Sequence, residues 1–192
     1  MKKLFIIFSI LTLGLISCSS CKKDVLPAPG APTAVPTCSG TSCPIPSASP
    51  DAGPVAPPTE TKVADGEWEM TIPAGWEPTN PHDPDITAFF TNPARQSLIL
   101  FIKEPFKGTA EDYAVVVLRI LHGEKANVVS LSAEKVDGLV RTTFVADKDG
   151  LRLWTFATAR NDSGYILNCG GKVSDTDLES VCLKVGKSFH LK

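Results

Sequence analysis

Ten of the sixteen prolines in this 192-residue chain fall between Ser19 and Thr61. The same stretch has no aromatic residue, few charges, and much Ala, Ser, Thr and Gly. Such a composition cannot bury enough apolar surface to offset the entropy of ordering the backbone. The folding part of the chain is therefore confined to residues 62–192, a length that suits one α+β domain with a real hydrophobic core. Residues 18–61 are expected to form a semi-extended linker. Polyproline-like stretches rise about 3.1 Å per residue, so a largely extended linker would reach on the order of 100 Å.

Residues 1–17 have the three-part layout of a secretory signal. Met1-Lys2-Lys3 is positively charged, and Leu4 to Ile16 is an almost unbroken apolar run. A membrane-spanning helix needs about 20 apolar residues, so a permanent span is the weaker reading. The run ends in Leu15-Ile16-Ser17-Cys18, which resembles the bacterial lipobox. The resemblance implies that the Cys18 thiol accepts diacylglycerol and becomes the mature, further acylated (palmitate-type) N-terminus. Stable anchoring takes at least two chains, which a triacylated Cys18 supplies. An ordinary cleaved signal with an incidental cysteine is the alternative. Ser19 occupies the position where Asp would suggest inner-membrane retention, so the expected location is the outer membrane of a bacterial envelope, on its periplasmic or surface face.

The formal charge of −2 is spread without a basic block. Phosphate neutralisation is the main source of nucleic-acid affinity, so no nucleic-acid partner is expected. Of six cysteines, Cys18 is committed to lipid, and five remain for an oxidising compartment. The expected pairs are Cys169–Cys182 and, as a small linker loop, Cys38–Cys43, with Cys21 left over. Cys38 and Cys43 could form half of a zinc site, but no second pair of ligands follows at matching spacing. No metal or cofactor is assigned.

Within the domain, Trp68, Met70 and Ile72 alternate with polar residues, as a half-buried strand does. Glu67 and Glu69 share its other face. They could serve acid/base chemistry, but nothing apolar surrounds them to raise a pKa, and a solvated face explains them better. Pro73-Ala74-Gly75-Trp76 turns the chain. His82, Asp83 and Asp85 could hold a cation, but an exposed proline-rich turn is the preferred reading. Ile86–Thr91 reads as a second strand. Ser97–Lys103 is apolar on both faces, as in a central strand covered on both sides.

Thr109 is the expected N-cap of a helix, with Glu111 and Asp112 in its first turn, an apolar stripe of Tyr113, Val116, Val117, Ile120 and Leu121, and Gly123 as its stop. His122 reads as a capping or exposed residue. Four strands follow at Ala126–Val136, Leu139–Ala146, Leu151–Arg160 and Gly164–Cys169. Asp137-Gly138, Lys148-Asp149-Gly150 and Asn161–Gly164 separate them, and Asp-Gly between alternating apolar runs signals a hairpin. A second helix is expected to open at Ser174, with a stripe of Leu178, Val181, Cys182 and Val185. Cys182 then faces the sheet beside the end of the strand carrying Cys169, and core-facing cysteines of exported domains are usually bridged; reactive-thiol chemistry is the alternative. Ser188–Leu191 could add a last short strand.

The whole pattern predicts an antiparallel sheet of about six to seven strands with helices packed on it. It resembles the PsbP-like superfamily, which includes a eukaryotic Ran-binding import factor and many bacterial lipoproteins. The residues carrying the resemblance are Trp68–Pro73 with Gly75-Trp76, Tyr113, Val136-Asp137-Gly138, Trp154-Thr155-Phe156, and Gly164–Cys169 with Cys182 and Ser188-Phe189. It covers residues 65–192 and implies an α/β/α sandwich. It brings no catalytic residues, because most members have none and act by binding other proteins. The leading expectation is a lipid-anchored, non-enzymatic binding or scaffolding module whose partners are the membrane and another envelope protein. The alternatives are a small-ligand carrier with a cleft near Trp76 or Trp154, an immunity or exclusion lipoprotein, and a hydrolase. Against the last, nucleophile-elbow and zinc-protease motifs are absent and the three histidines lie in unrelated segments.

Overall fold

The structure is a computed structural model that describes residues 59–81 and 83–192. The signal segment, Cys18, Cys21, Cys38, Cys43 and His82 lie outside the described residues.

Three tight turns build most of the large sheet. Asp137-Gly138, Asp149-Gly150 and Asn161-Asp162 all have positive φ, between 52° and 80°. Two consecutive left-handed residues make a type I′ turn, whose twist matches that of the strands it joins. The turns link β6 (Asn127–Val136), β7 (Leu139–Lys148), β8 (Leu151–Arg160) and β9 (Ser163–Lys172). Pairs Val136–Leu139, Lys148–Leu151 and Arg160–Ser163 close them, so each loop has two residues. The second and third are shorter than the pattern of turn residues suggests. β9 also runs on through Gly170 and Gly171, past the strand end expected at Cys169.

Upstream, β1 (Thr61–Ala64), β2 (Trp68–Ile72), β3 (Glu77–Pro78), β4 (Ile86–Asn92) and β5 (Ser97–Pro105) precede α1 (Ala110–Gly123). After β9 come α2 (Leu178–Ser188) and β10 (His190–Leu191). The seven-stranded sheet has the order β3-β4-β5-β9-β8-β7-β6, every pair antiparallel. β5 therefore lies inside the sheet, as its two apolar faces require. β2 belongs to a second sheet, β1-β2-β10, rather than to the main one.

Each face of the large sheet is covered. α1 lies over β7 and β8, burying Ala110, Tyr113, Val117 and Leu121 against Leu100, Phe144, Leu153 and Ile166. On the other face, α2 and the small sheet share the cover: Leu178, Cys182 and Val185 join Trp68, Met70 and Ile72 over Ile99, Phe101, Trp154 and Phe156. The Phe101 ring sits 4.5 Å from that of Trp68 and 5.3 Å from that of Phe189, so one aromatic ties both sheets to the C-terminal segment. The second outer layer is thus part helix and part sheet, because the Trp68–Ile72 strand occupies half of it.

Local chemistry sets the helix ends. The Asp112 amide donates to Thr109 Oγ1 at 3.1 Å and the Thr109 amide to Asp112 Oδ2 at 3.0 Å, a reciprocal cap. At the other end, Lys125 rather than Gly123 takes the left-handed position, with φ 57°. α2 starts at Leu178, not Ser174. The Asp175 amide donates to Lys172 O and the Leu178 amide to Asp175 O, so residues 174–177 form turns before the helix. Cys169 of β9 and Cys182 of α2 form a disulfide, with Cα atoms 5.3 Å apart.

Candidate functional site: the open rim of the large sheet

The two ends of the large sheet differ. β3 ends it on one side with two residues, Glu77 and Pro78, and proline offers no amide to a further strand. β6 ends it on the other side with ten residues and no proline. Eight of those ten are exposed, with Val128 and Val136 partly buried. Among the described residues this is the longest strand rim with no partner; β1, the outer strand of the small sheet, has four residues.

The turn chemistry decides which main-chain groups face outward. In a two-residue hairpin the closing pair, here Val136–Leu139, exchanges both hydrogen bonds, and pairs then alternate along the ladder. Val136, Glu134, Ser132 and Ser130 therefore direct their amides and carbonyls to β7. Lys135, Ala133 and Leu131 direct theirs away from the sheet. A bulge between Val128 and Ser130 ends this regular stretch.

Side chains along the rim divide by face. Leu131 lies opposite Phe144, on the side covered by α1, together with Ala133 and Lys135. Leu131 is 55% exposed and Val129 50%, the two most exposed large aliphatic residues described. On the other face, Glu134 Oε1 accepts from Arg141 Nη2 at 2.7 Å and Nε at 3.2 Å. Arg141 is itself buried. Its Nη1 donates to the carbonyls of Gly186 at 2.6 Å and Phe189 at 3.2 Å, closing the end of α2. At the hairpin tip, Asp137 Oδ2 lies 2.7 Å from His190 Nδ1, which joins the β6–β7 turn to the C-terminal strand. The rim is thus braced at its base and, among the described residues, bare along its outer side. Long bare rims are where sheets add strands from other chains.

The other residues singled out by sequence lie apart from this rim. Glu67 pairs with Lys103, whose hydrogen bond and charge hold its carboxyl below the ordinary range; Tyr165 also donates to it at 3.3 Å. Glu69 is lowered likewise, first by its hydrogen bond to Lys62. Both are ion-paired carboxylates, Glu67 just before β2 and Glu69 within it, not groups with raised pKa. Asp85 donates its amide to Asp83 Oδ1 in the turn before β4. His122 is exposed in the last turn of α1. Trp76 and Trp154 are both buried in the apolar layer beneath α2 and the small sheet. Sequence reasoning missed β6 as a site. The available signal was its composition: Asn127–Val136 lacks an aromatic residue and has Ser130, Ser132 and Glu134 on one face.

Taken together, two helices on an antiparallel seven-stranded sheet define an α+β domain with a PsbP-like fold. The solution structure of cyanobacterial PsbP (CyanoP) from Synechocystis sp. PCC 6803 superposes with a TM-score of 0.57 at 17% identity, covering 73% of this chain and 96% of that one. A crystal structure from Bacteroides thetaiotaomicron VPI-5482 matches with a TM-score of 0.43 at 14% identity, over 65% of this chain and 45% of that one. No protein-family model matches the sequence, and no curated protein matches it.

Proposed function

We propose that this chain is a lipid-anchored protein of the bacterial envelope whose folded domain is a non-enzymatic module that binds an extended protein segment along β6. The observation that carries the reading is the ten-residue rim that has no strand partner among the described residues, with three outward amides and two exposed aliphatic side chains. Main-chain hydrogen bonds give such a contact its affinity, and alternate side chains give it specificity. The anchoring half of the proposal is supported by Leu15-Ile16-Ser17-Cys18 and by the proline-rich segment that separates it from the domain in the sequence.

Each half has its own test. A photoreactive residue at position 131 of the full-length protein, irradiated in intact envelopes, is expected to yield protein adducts. The same residue at position 183, on the exposed side of α2, is expected to yield none. Equal labelling at both positions, or no adduct at 131, overturns the binding role of the rim. For the anchor, mass analysis of the mature protein should show an acylated N-terminal Cys18, and Cys18→Ser should leave the membrane fraction. An unmodified mature N-terminus rejects lipid anchoring.

A further inference from the structure

We propose that the strand which docks on β6 is β6 of a second copy of this chain, the two running antiparallel about a two-fold axis at Ala133. The proposal rests on the rim being the binding surface and names its partner. At the other end of the large sheet β3 has two residues, one of them a proline without an amide, so among the described residues β6 offers the longer edge to an added strand.

Outward groups can pair only with outward groups, so the available registers are few. With Ala133 opposite Ala133 of the second copy, Leu131 meets Lys135 on either side, and all three outward residues of each strand are used. Shifting the copies by two residues one way places Glu134 opposite Glu134. A further shift places Lys135 opposite Lys135. Shifting the other way leaves Lys135 unpaired and runs into the bulge at Val129. Like charges directly opposite are destabilising, so the Ala133-centred register is the one that both completes the ladder and avoids repulsion.

Side chains match in that register too. Ser132 lies opposite Glu134 of the second copy, where its hydroxyl can donate to a carboxylate whose charge Arg141 already balances. On the α1 side, the methylene stem of Lys135 can cover the exposed Leu131 while its ammonium reaches water. A two-fold axis perpendicular to the sheet keeps side chains of both copies on matching faces, so the two sheets become continuous. This self-matching of ladder, charge and apolar cover selects a second copy over an unrelated strand.

The test places a photoreactive residue at position 133 of the full-length chain in intact envelopes and maps the crosslinked peptides. The expected product joins the residue-133 segments of two copies. Leu131→Lys sets lysine against Lys135 twice and should lower the yield about fivefold or more. Adding Lys135→Glu to that variant should restore it, because each introduced lysine then faces an introduced glutamate across the two-fold axis. Adducts formed only with other proteins leave the binding role of the rim standing and overturn the second-copy assignment. Loss in the single variant without recovery in the double also overturns it.

Discussion

Gly164 has no side chain because the Tyr113 ring lies where one would be: a Cβ there would stand 2.3 Å from Tyr113 Cζ. Gly186 faces the Phe156 ring in the same way, at 2.2 Å. These contacts let α1 and α2 settle onto opposite faces of the sheet at β9 and β8. Overpacking a core costs about 1–3 kcal/mol. Gly164→Ala should therefore lower the stability measured by urea unfolding by about that amount, and an unchanged midpoint would show that Tyr113 yields freely. The two tyrosines of the chain also give a pH signature. Burial, followed by the Glu104 carboxylate that accepts its hydroxyl hydrogen bond at 2.8 Å, drives the Tyr113 pKa far up. Burial, then Glu67, raises Tyr165. The unfolded chain loses these protons near pH ~10. It then binds fewer protons than the folded chain, so stability falls as pH rises above about 10. Absorbance of tyrosinate should stay low in the folded protein just above that pH and appear together with unfolding; independent titration of both rings at the ordinary phenol pKa would contradict the burial.

At the scale of elements, the Cys169–Cys182 bond joins β9 to α2 across 13 positions of sequence. A loop of that size contributes about 3 kcal/mol through restriction of the unfolded chain. Replacing both cysteines by alanine should lower unfolding free energy by at least about that much in urea titrations, and no loss would mean that α2 is held by packing alone. This pair is legible in the sequence because the helical stripe turns Cys182 inward. The three hairpins are legible for a different reason: few residues accept positive φ, and Asp-Gly twice supplies two in a row. Asn161-Asp162 carries a weaker signal, which is why that loop reads longer than it is. β1 and β3 leave no trace in the pattern, since Thr61–Ala64 has no apolar alternation and Glu77–Pro78 is too short to show any. The late start of α2 is hidden because Asp175 and Asp177 suit a first helical turn and a preceding turn equally.

For the whole molecule, periodicity within strands cannot reveal their order. β5 pairs with β9 although α1 and three other strands lie between them in the chain, and β2 leaves the main sheet to help cover it. That order is also what makes β6 the terminal strand, so its polar composition marks a candidate site only once the topology is known. Among the described residues, the large sheet ends in the two-residue β3 on one side and in the ten-residue, unpartnered β6 on the other. Residue-resolved amide hydrogen exchange tests the openness of that end most directly. In dilute protein, the amides of Leu131, Ala133 and Lys135 should exchange near the rate of an unstructured chain, while those of Ser132 and Glu134 between them remain protected. Protection of all five at the lowest concentration would contradict the account, because the rim would then already be covered.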